Sequence, residues 1–167
     1  MTIKDGTLYF ISDCFFEKVR DDYLKMDYDK TKRPHYLAFQ DERTLLYWLV
    51  PCSSRIEKYE RIIAEKQSRR KPTDGIKIIR IRDQKSVLLF QDMFPATAEY
   101  VLEPYMKSGM PVYIESQKVV AELKRTAKEI RNKLRIGIRF TPTQPDVIRI
   151  EQLMLEELQR QEPVRQP

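Results

Sequence analysis

The chain has 167 residues, 31 Lys and Arg against 25 Asp and Glu, one His, two Cys and four Gly, for a formal net charge of +6. At this length it reads as one domain over residues 1–161, with 162–167 as a frayed tail, and its 41% apolar and 10% aromatic content excludes a disordered chain. No apolar run approaches the ~18 residues of a membrane span, no secretory leader is evident, and two Cys make no disulfide framework, so a reducing cytoplasm is the expected location.

Residues 7–12 (TLYFIS) are β-branched and aromatic and predict a strand. Asp13 is placed to cap a short helix with Phe16, Val19, Tyr23 and Met26 on one face. Residues 27–34 (DYDKTKRP) form a charged loop, and Pro34 biases Arg33 towards extended geometry. Strands at 35–39 and 45–50 flank a turn at 40–44, with Pro51 expected to stop the second. Ser54-Arg55-Ile56-Glu57 fits a capping box ahead of apolar Ile56, Tyr59, Ile62 and Ile63, and the basic run 68–72 ends that helix. A β-hairpin is expected at 76–81 and 86–90, an apolar turn at 93–95 and a strand at 100–105. Residues 115–134 carry the clearest helical period, through Val119, Val120, Leu123, Ala127, Ile130 and Leu134. Residues 135–140 fit either a continued helix or a strand, and 147–161 fit a last helix. Irregular alternation of short strands and helices argues for an α+β fold with a mostly antiparallel sheet.

The charge is segregated. Residues 55–82 hold ten Lys/Arg and four Asp/Glu, residues 115–140 hold eight and three, and the rest of the chain is net acidic. Two basic helices on an otherwise acidic protein point to a polyanion, and nucleic acid is the usual one. Chemistry is pruned as well. One His and two separated Cys supply neither a Cys/His zinc site nor a two-histidine acid–base pair. Neither G-x-x-x-x-G-K-[ST] nor G-x-G-x-x-G occurs.

Two stretches bear chemistry. At residues 49–58 (LVPCSSRIEK) a strand ends in two hydroxyls and a helix begins, where free N–H groups and the helix dipole favour a phosphate. Ser53 and Ser54 add donors there, and Arg55 and Lys58 add charge; an ordinary capped helix with solvated cations is the plainer reading. Residues 28–36 put Tyr28, Lys30, Lys32, Arg33 and the only histidine, His35, in and beside one loop. A histidine suits proton transfer near neutral pH, and a hydrogen-bonded strand residue is the plainer reading.

Taken in order, YFIS at 9–12, RPHY at 33–36, LVPCSS at 49–54, LFQDMFP at 89–95 and DVIRIEQLML at 146–155 resemble the ToxN/AbiQ family of toxins from type III toxin–antitoxin systems, within it the CptN-like branch. The resemblance spans about residues 7–158. It implies a twisted antiparallel sheet partly wrapped by helices, related to the Kid/MazF toxins. It also implies a metal-independent, cofactor-free endoribonuclease, in which the 2′-OH attacks the adjacent phosphate to leave a 2′,3′-cyclic phosphate and a 5′-OH. The implied partners are cellular or phage RNA as substrate and a repeat RNA antitoxin, folded as a pseudoknot, in a closed protein–RNA assembly.

The family's hydroxyl pair falls on Ser53 and Ser54. Its lysine falls on Ile56, a departure that leaves Lys58 the nearest replacement and Arg55 the second. A family lysine after the loop proline is His35 here, and the family's early tyrosine falls near Phe15. His35 is accordingly expected to transfer a proton and Lys58 to neutralise the phosphorane. The RNA backbone is expected to follow Tyr28, Lys30, Lys32, Arg33, Arg55, Arg69, Arg70 and Lys71, and on the long helix Lys118, Lys124, Arg125, Lys128 and Arg131. A non-catalytic RNA-binding module and a MazF-like toxin with a protein antitoxin are the competing readings.

Overall fold

A computed structural model describes residues 1–25 and 32–162. Tyr28, Lys30 and Met26 therefore lie outside the described residues, as does the tail beyond Glu162.

The chain forms β1 (Leu8–Ile11), α1 (Asp13–Val19), β2 (His35–Gln40), β3 (Tyr47–Ser53), α2 (Ile56–Ser68), β4 (Lys77–Ile81), β5 (Gln84–Leu88), β6 (Phe94–Ala96), β7 (Val101–Pro104), β8 (Met106–Lys107), β9 (Met110–Pro111), α3 (Gln117–Arg135) and α4 (Val147–Gln161). Strands pair in the order β4-β5-β3-β2-β1-β7, with β6 also on β3, and β8 and β9 form a separate hairpin. Every named pair is antiparallel, as the α+β reading expects.

β3 organises the sheet. One edge pairs along its length with β2. On the other edge Tyr47, Trp48 and Leu49 pair with β6, while Cys52 and Ser53 pair with β5. The strand runs through Pro51 instead of stopping there. Pro51 sits opposite His35, where Cys52 N–H donates to Pro34 C=O, so no N–H is needed towards β2. On the other edge Pro51 C=O accepts from Leu89 N–H at 3.0 Å, and proline makes only that half of the contact.

Alternation along the strands fills two cores. Leu8, Tyr36, Trp48, Val50 and Cys52 face α3, whose Leu123, Ala127, Ile130 and Leu134 close that side. Tyr9, Leu37, Leu49 and Phe94 face α1 and α4, through Phe15, Phe16, Ile150 and Met154. A third, smaller cluster joins Tyr59 of α2 to Ile76, Val87 and Leu89 around the β4–β5 hairpin.

Helix ends explain the remaining differences. Ser12, not Asp13, caps α1, its Oγ accepting from Cys14 N–H. Arg20 turns left-handed at φ 50°, which ends that helix before Tyr23. Ser116 and Asp146 cap α3 and α4 through Val119 and Arg149 N–H. Of residues 135–140 only Arg135 continues the helix, and 136–140 become neither helix nor strand. Gly137 N–H bonds Leu134 C=O and Ile138 N–H bonds Lys133 C=O, with Gly137 at φ 87°, a Schellman end. The apolar stretch at 93–95, expected as a turn, instead forms β6 against β3. Among the described residues no helix is long and apolar enough to cross a membrane.

Candidate active site

Where β3 ends against β5, the chain turns into α2 and frames a cleft of about 780 Å³. Ser53, Ser54, Arg55 and Lys58 line one side, and Lys32 and Arg33 enter from the segment before β2. These six predicted residues are thus brought together. The opposite rim is Arg82, Gln84, Lys85 and Ser86 from the β4–β5 hairpin and Lys107 from the β8–β9 hairpin. Leu8, Ile81, Tyr105 and Val112 make an apolar floor. Eight Lys and Arg line the cleft, counting Lys25, and among the described residues no Asp or Glu does. Such a surface, positive on every side over an apolar floor, attracts a phosphodiester backbone.

The hydroxyls are arranged differently from a capping box. The first residue of α2 is Ile56, with Arg55 at the cap position and no side chain capping the helix. Ile56 N–H bonds the Ser54 carbonyl, not its hydroxyl. Ser53 Oγ accepts from Arg55 N–H at 3.2 Å, which fixes its oxygen and leaves its proton to donate. The uncapped first turn begins at the edge of the cleft, beside both serines. Arg33 is held across the strand end by its Nη1, which donates to Cys52 C=O at 2.7 Å. Lys58 is exposed, with its Nζ 5.3 Å from the Tyr59 ring centroid.

The hairpin rim is tied together. Arg82 adopts a left-handed φ of 58° in the two-residue turn of β4–β5. Its guanidinium donates to Lys107 C=O at 3.2 Å and Pro111 C=O at 2.8 Å, and Lys107 Nζ bonds Asp83 at 3.2 Å. Sequence reading missed Arg82, Lys85, Lys107 and Tyr105. Part of the basic excess at 55–82 belongs to this hairpin and not to α2. The Ser108-Gly109 turn that brings Lys107 round, both residues at positive φ, was the available signal.

His35 is not in the cleft, which corrects its predicted role. It is only 1% exposed and faces the opposite side of the sheet, its ring 5.4 Å from that of Phe94 and 6.2 Å from that of Phe16. Nδ1 lies 3.1 Å from Arg33 C=O and so carries the proton, while Nε2 is buried without a partner. Burial, helped by the Arg33 charge, lowers its pKa from 6.5 to about 3. The imidazole is neutral and out of reach of a substrate.

A second buried group lies near the cleft cations. Asp92 is 2% exposed, and burial raises its pKa to about 6 against the pull of Lys25 and Arg33.

The predicted RNA contacts on α3 also divide. None of Lys118, Lys124, Arg125, Lys128 and Arg131 lines the cleft. Arg131 is structural: its Nη1 bonds buried Asp41 at 2.8 Å and its guanidinium covers the Phe39 ring at 5.0 Å. Lys124 pairs with Asp5 at 3.2 Å, and Lys128 Nζ lies 5.6 Å from the Phe39 centroid. Lys118 and Arg125 are exposed. Arg69 and Lys71 line a different groove, and Arg70 is exposed in the left-handed turn after α2. Among the described residues no three His, Cys, Asp or Glu side chains converge as metal ligands would.

No family model and no curated protein matches the sequence. The fold, however, is shared with a solved structure of AbiQ, described as a lactococcal anti-phage endoribonuclease belonging to the type III toxin–antitoxin system. The two superpose with a TM-score of 0.72 at 8% identity, over 93% of this chain and 99% of AbiQ, so the chain has the AbiQ fold.

Proposed function

We propose that the protein is an endoribonuclease toxin of the type III kind, acting in the cytoplasm and restrained by a repeat RNA. The observation that carries this is the basic cleft built around Ser53, Ser54 and Lys58, lined by no Asp or Glu among the described residues, on a fold shared with an endoribonuclease of that system. Ser53, Ser54 and the first-turn N–H groups of α2 hold the non-bridging oxygens of the scissile phosphate. The 2′-OH forms a bond to phosphorus and the P–O5′ bond breaks, giving a 2′,3′-cyclic phosphate and a 5′-OH. Lys58 and Arg55 offset the charge that accumulates on the phosphorane, an electrostatic contribution that needs no metal. With His35 removed from the site, the protons of the 2′-OH and O5′ pass through water in the open cleft. Lys32, Arg33 and the Arg82–Lys85 rim hold the flanking backbone.

The restraining RNA rests on the family resemblance: a pseudoknot repeat bound in a closed assembly. Tandem short repeats upstream of the coding sequence are its expected genomic sign. The test of the enzyme is cleavage of RNA by purified protein, with and without EDTA, followed by analysis of the ends. We expect EDTA-resistant cleavage with cyclic-phosphate ends, reduced about 100-fold or more in Ser53→Ala and Lys58→Ala. Loss of activity in EDTA, 3′-hydroxyl ends, or full activity of both variants would refute it.

A further inference from the structure

The second half of α2 forms one wall of another groove, of about 600 Å³. The facing wall is the segment that follows α3, ending at Phe140. This segment is built, not loose. Gln144, itself 8% exposed, accepts from Phe140 N–H and Thr141 N–H through Oε1, at 2.6 and 3.3 Å. Gly75 passes so close beneath the Phe140 ring that a Cβ there would lie 3.2 Å from it.

The charges in the groove are unequal. Its two acids are spent, Glu65 on Arg69 at 3.2 Å and Asp74 on Lys133 at 2.9 Å. Lys66, Lys71 and Arg139 also line it and make no ion pair among the described residues. Between them are apolar Ile138 and Phe140. Two buried acceptors at this end of the molecule, Asp74 Oδ1 and Gln91 Oε1, have no donor. Gln91 is 8% exposed, and its Oε1 and the Phe140 ring meet at Gly75. Unpaired cations around an aromatic surface fit a nucleotide, with phosphate on the cations and the base against the ring.

The groove and the cleft share helix α2. Lys58 and Lys66 are eight residues apart on one helix, a rise of about 12 Å, which an extended strand crosses in a few nucleotides. We propose that this groove is a second nucleotide subsite, which takes an unpaired base and phosphate of the same RNA strand whose scissile step lies at Ser53 and Ser54. The proposal rests on the endoribonuclease reading of the cleft.

The test compares a minimal oligoribonucleotide covering the scissile step with versions extended on the 5′ or the 3′ side. Cleavage and equilibrium binding are measured for wild type, Arg139→Ala and Phe140→Leu. Leucine keeps apolar contact but removes the stacking face, and Arg139 is exposed, so both variants retain the fold. One extended strand is expected to bind more tightly than the minimal one, and each variant to weaken it about tenfold through KM. Cleavage of the minimal strand stays at the wild-type level. The proposal is overturned if neither extension adds affinity, if the variants leave the extended strands unaffected, or if they impair minimal and extended strands equally. A wild type that binds the extended strand through Phe140 but cuts nothing would refute the cleft reading and support the groove.

Discussion

Replacing His35 by leucine tests whether this residue is a core imidazole or a proton carrier. In the folded chain its pKa is lowered from 6.5 to about 3 by burial and by Arg33. Between those values the unfolded chain binds a proton that the folded chain does not. The contribution to stability is therefore complete above pH 6.5 and is lost as pH falls towards 3. At pH 5 the unfolded state gains about 2 kcal/mol relative to pH 8 by protonating the free ring. Leucine has no such proton. It gives up the hydrogen bond to Arg33 C=O, worth about 1 kcal/mol at either pH. Wild type should thus lose about 2 kcal/mol relative to the variant on going from pH 8 to pH 5. Asp92 titrates in the opposite sense but is present in both proteins and cancels. Urea unfolding followed by the fluorescence of Trp48, the single tryptophan, measures the difference. A difference that stays constant between the two pH values would show that the folded protein protonates His35 freely, and would refute its burial as a neutral ring. The same variant should cleave RNA within a few-fold of wild type.

Three further outcomes follow from the geometry. Asp92→Asn removes a carboxylate whose pKa is raised to about 6, so it should stabilise the protein by about 3 kcal/mol at pH 7.5 and by little at pH 4, read from unfolding curves at both pH values. Arg82→Ala loses two bonds to backbone carbonyls and should cost about 1–3 kcal/mol. Arg82→Gly, which tolerates the 58° φ, should cost about 0.5–1 kcal/mol less than alanine, and a melting comparison of the two decides it. Lys58→Ala and Lys85→Ala should each lower the slope of log affinity against log salt for single-stranded RNA by about 0.7, whereas Lys118→Ala, exposed on α3 away from the cleft, should leave that slope unchanged.

The parts of the fold that could be read in advance are those decided locally. Helix α4 forms over the predicted 147–161, and part of the first basic stretch, Arg55 and Lys58, lines the cleft beside the serine pair. The misreadings occur where a distant partner decides. Pro51 is a strand breaker by local rules, yet β3 continues because the missing N–H falls where β2 needs none. The strand β6 is three residues long and contains Pro95, and it exists because Trp48 and its neighbours offer an edge. Ser54 and Glu57 have capping-box spacing, but pairing of Ser53 with Val87 prolongs β3 and moves the cap to Arg55. His35 and Tyr36 alternate across the sheet, and only the packing of Phe16 and Phe94 decides which of them is turned from the cleft. The far rim required three hairpin residues, Arg82, Lys85 and Lys107, that no contiguous motif links.

Helix α2 buries its apolar side in the smallest of the three clusters, against the β4–β5 end of the sheet. Local opening costs less free energy where less apolar surface must be exposed, so the segment carrying Lys58 should lift from the hairpin well before the sheet unfolds. Hydrogen exchange would then proceed faster in α2 than in β2 and β3. It also follows that potency and durability are separable in this molecule. A polar substitution at Ile63, in the α2 seam, would lower the proposed RNA cleavage while leaving a sheet that still expresses, folds and survives proteolysis.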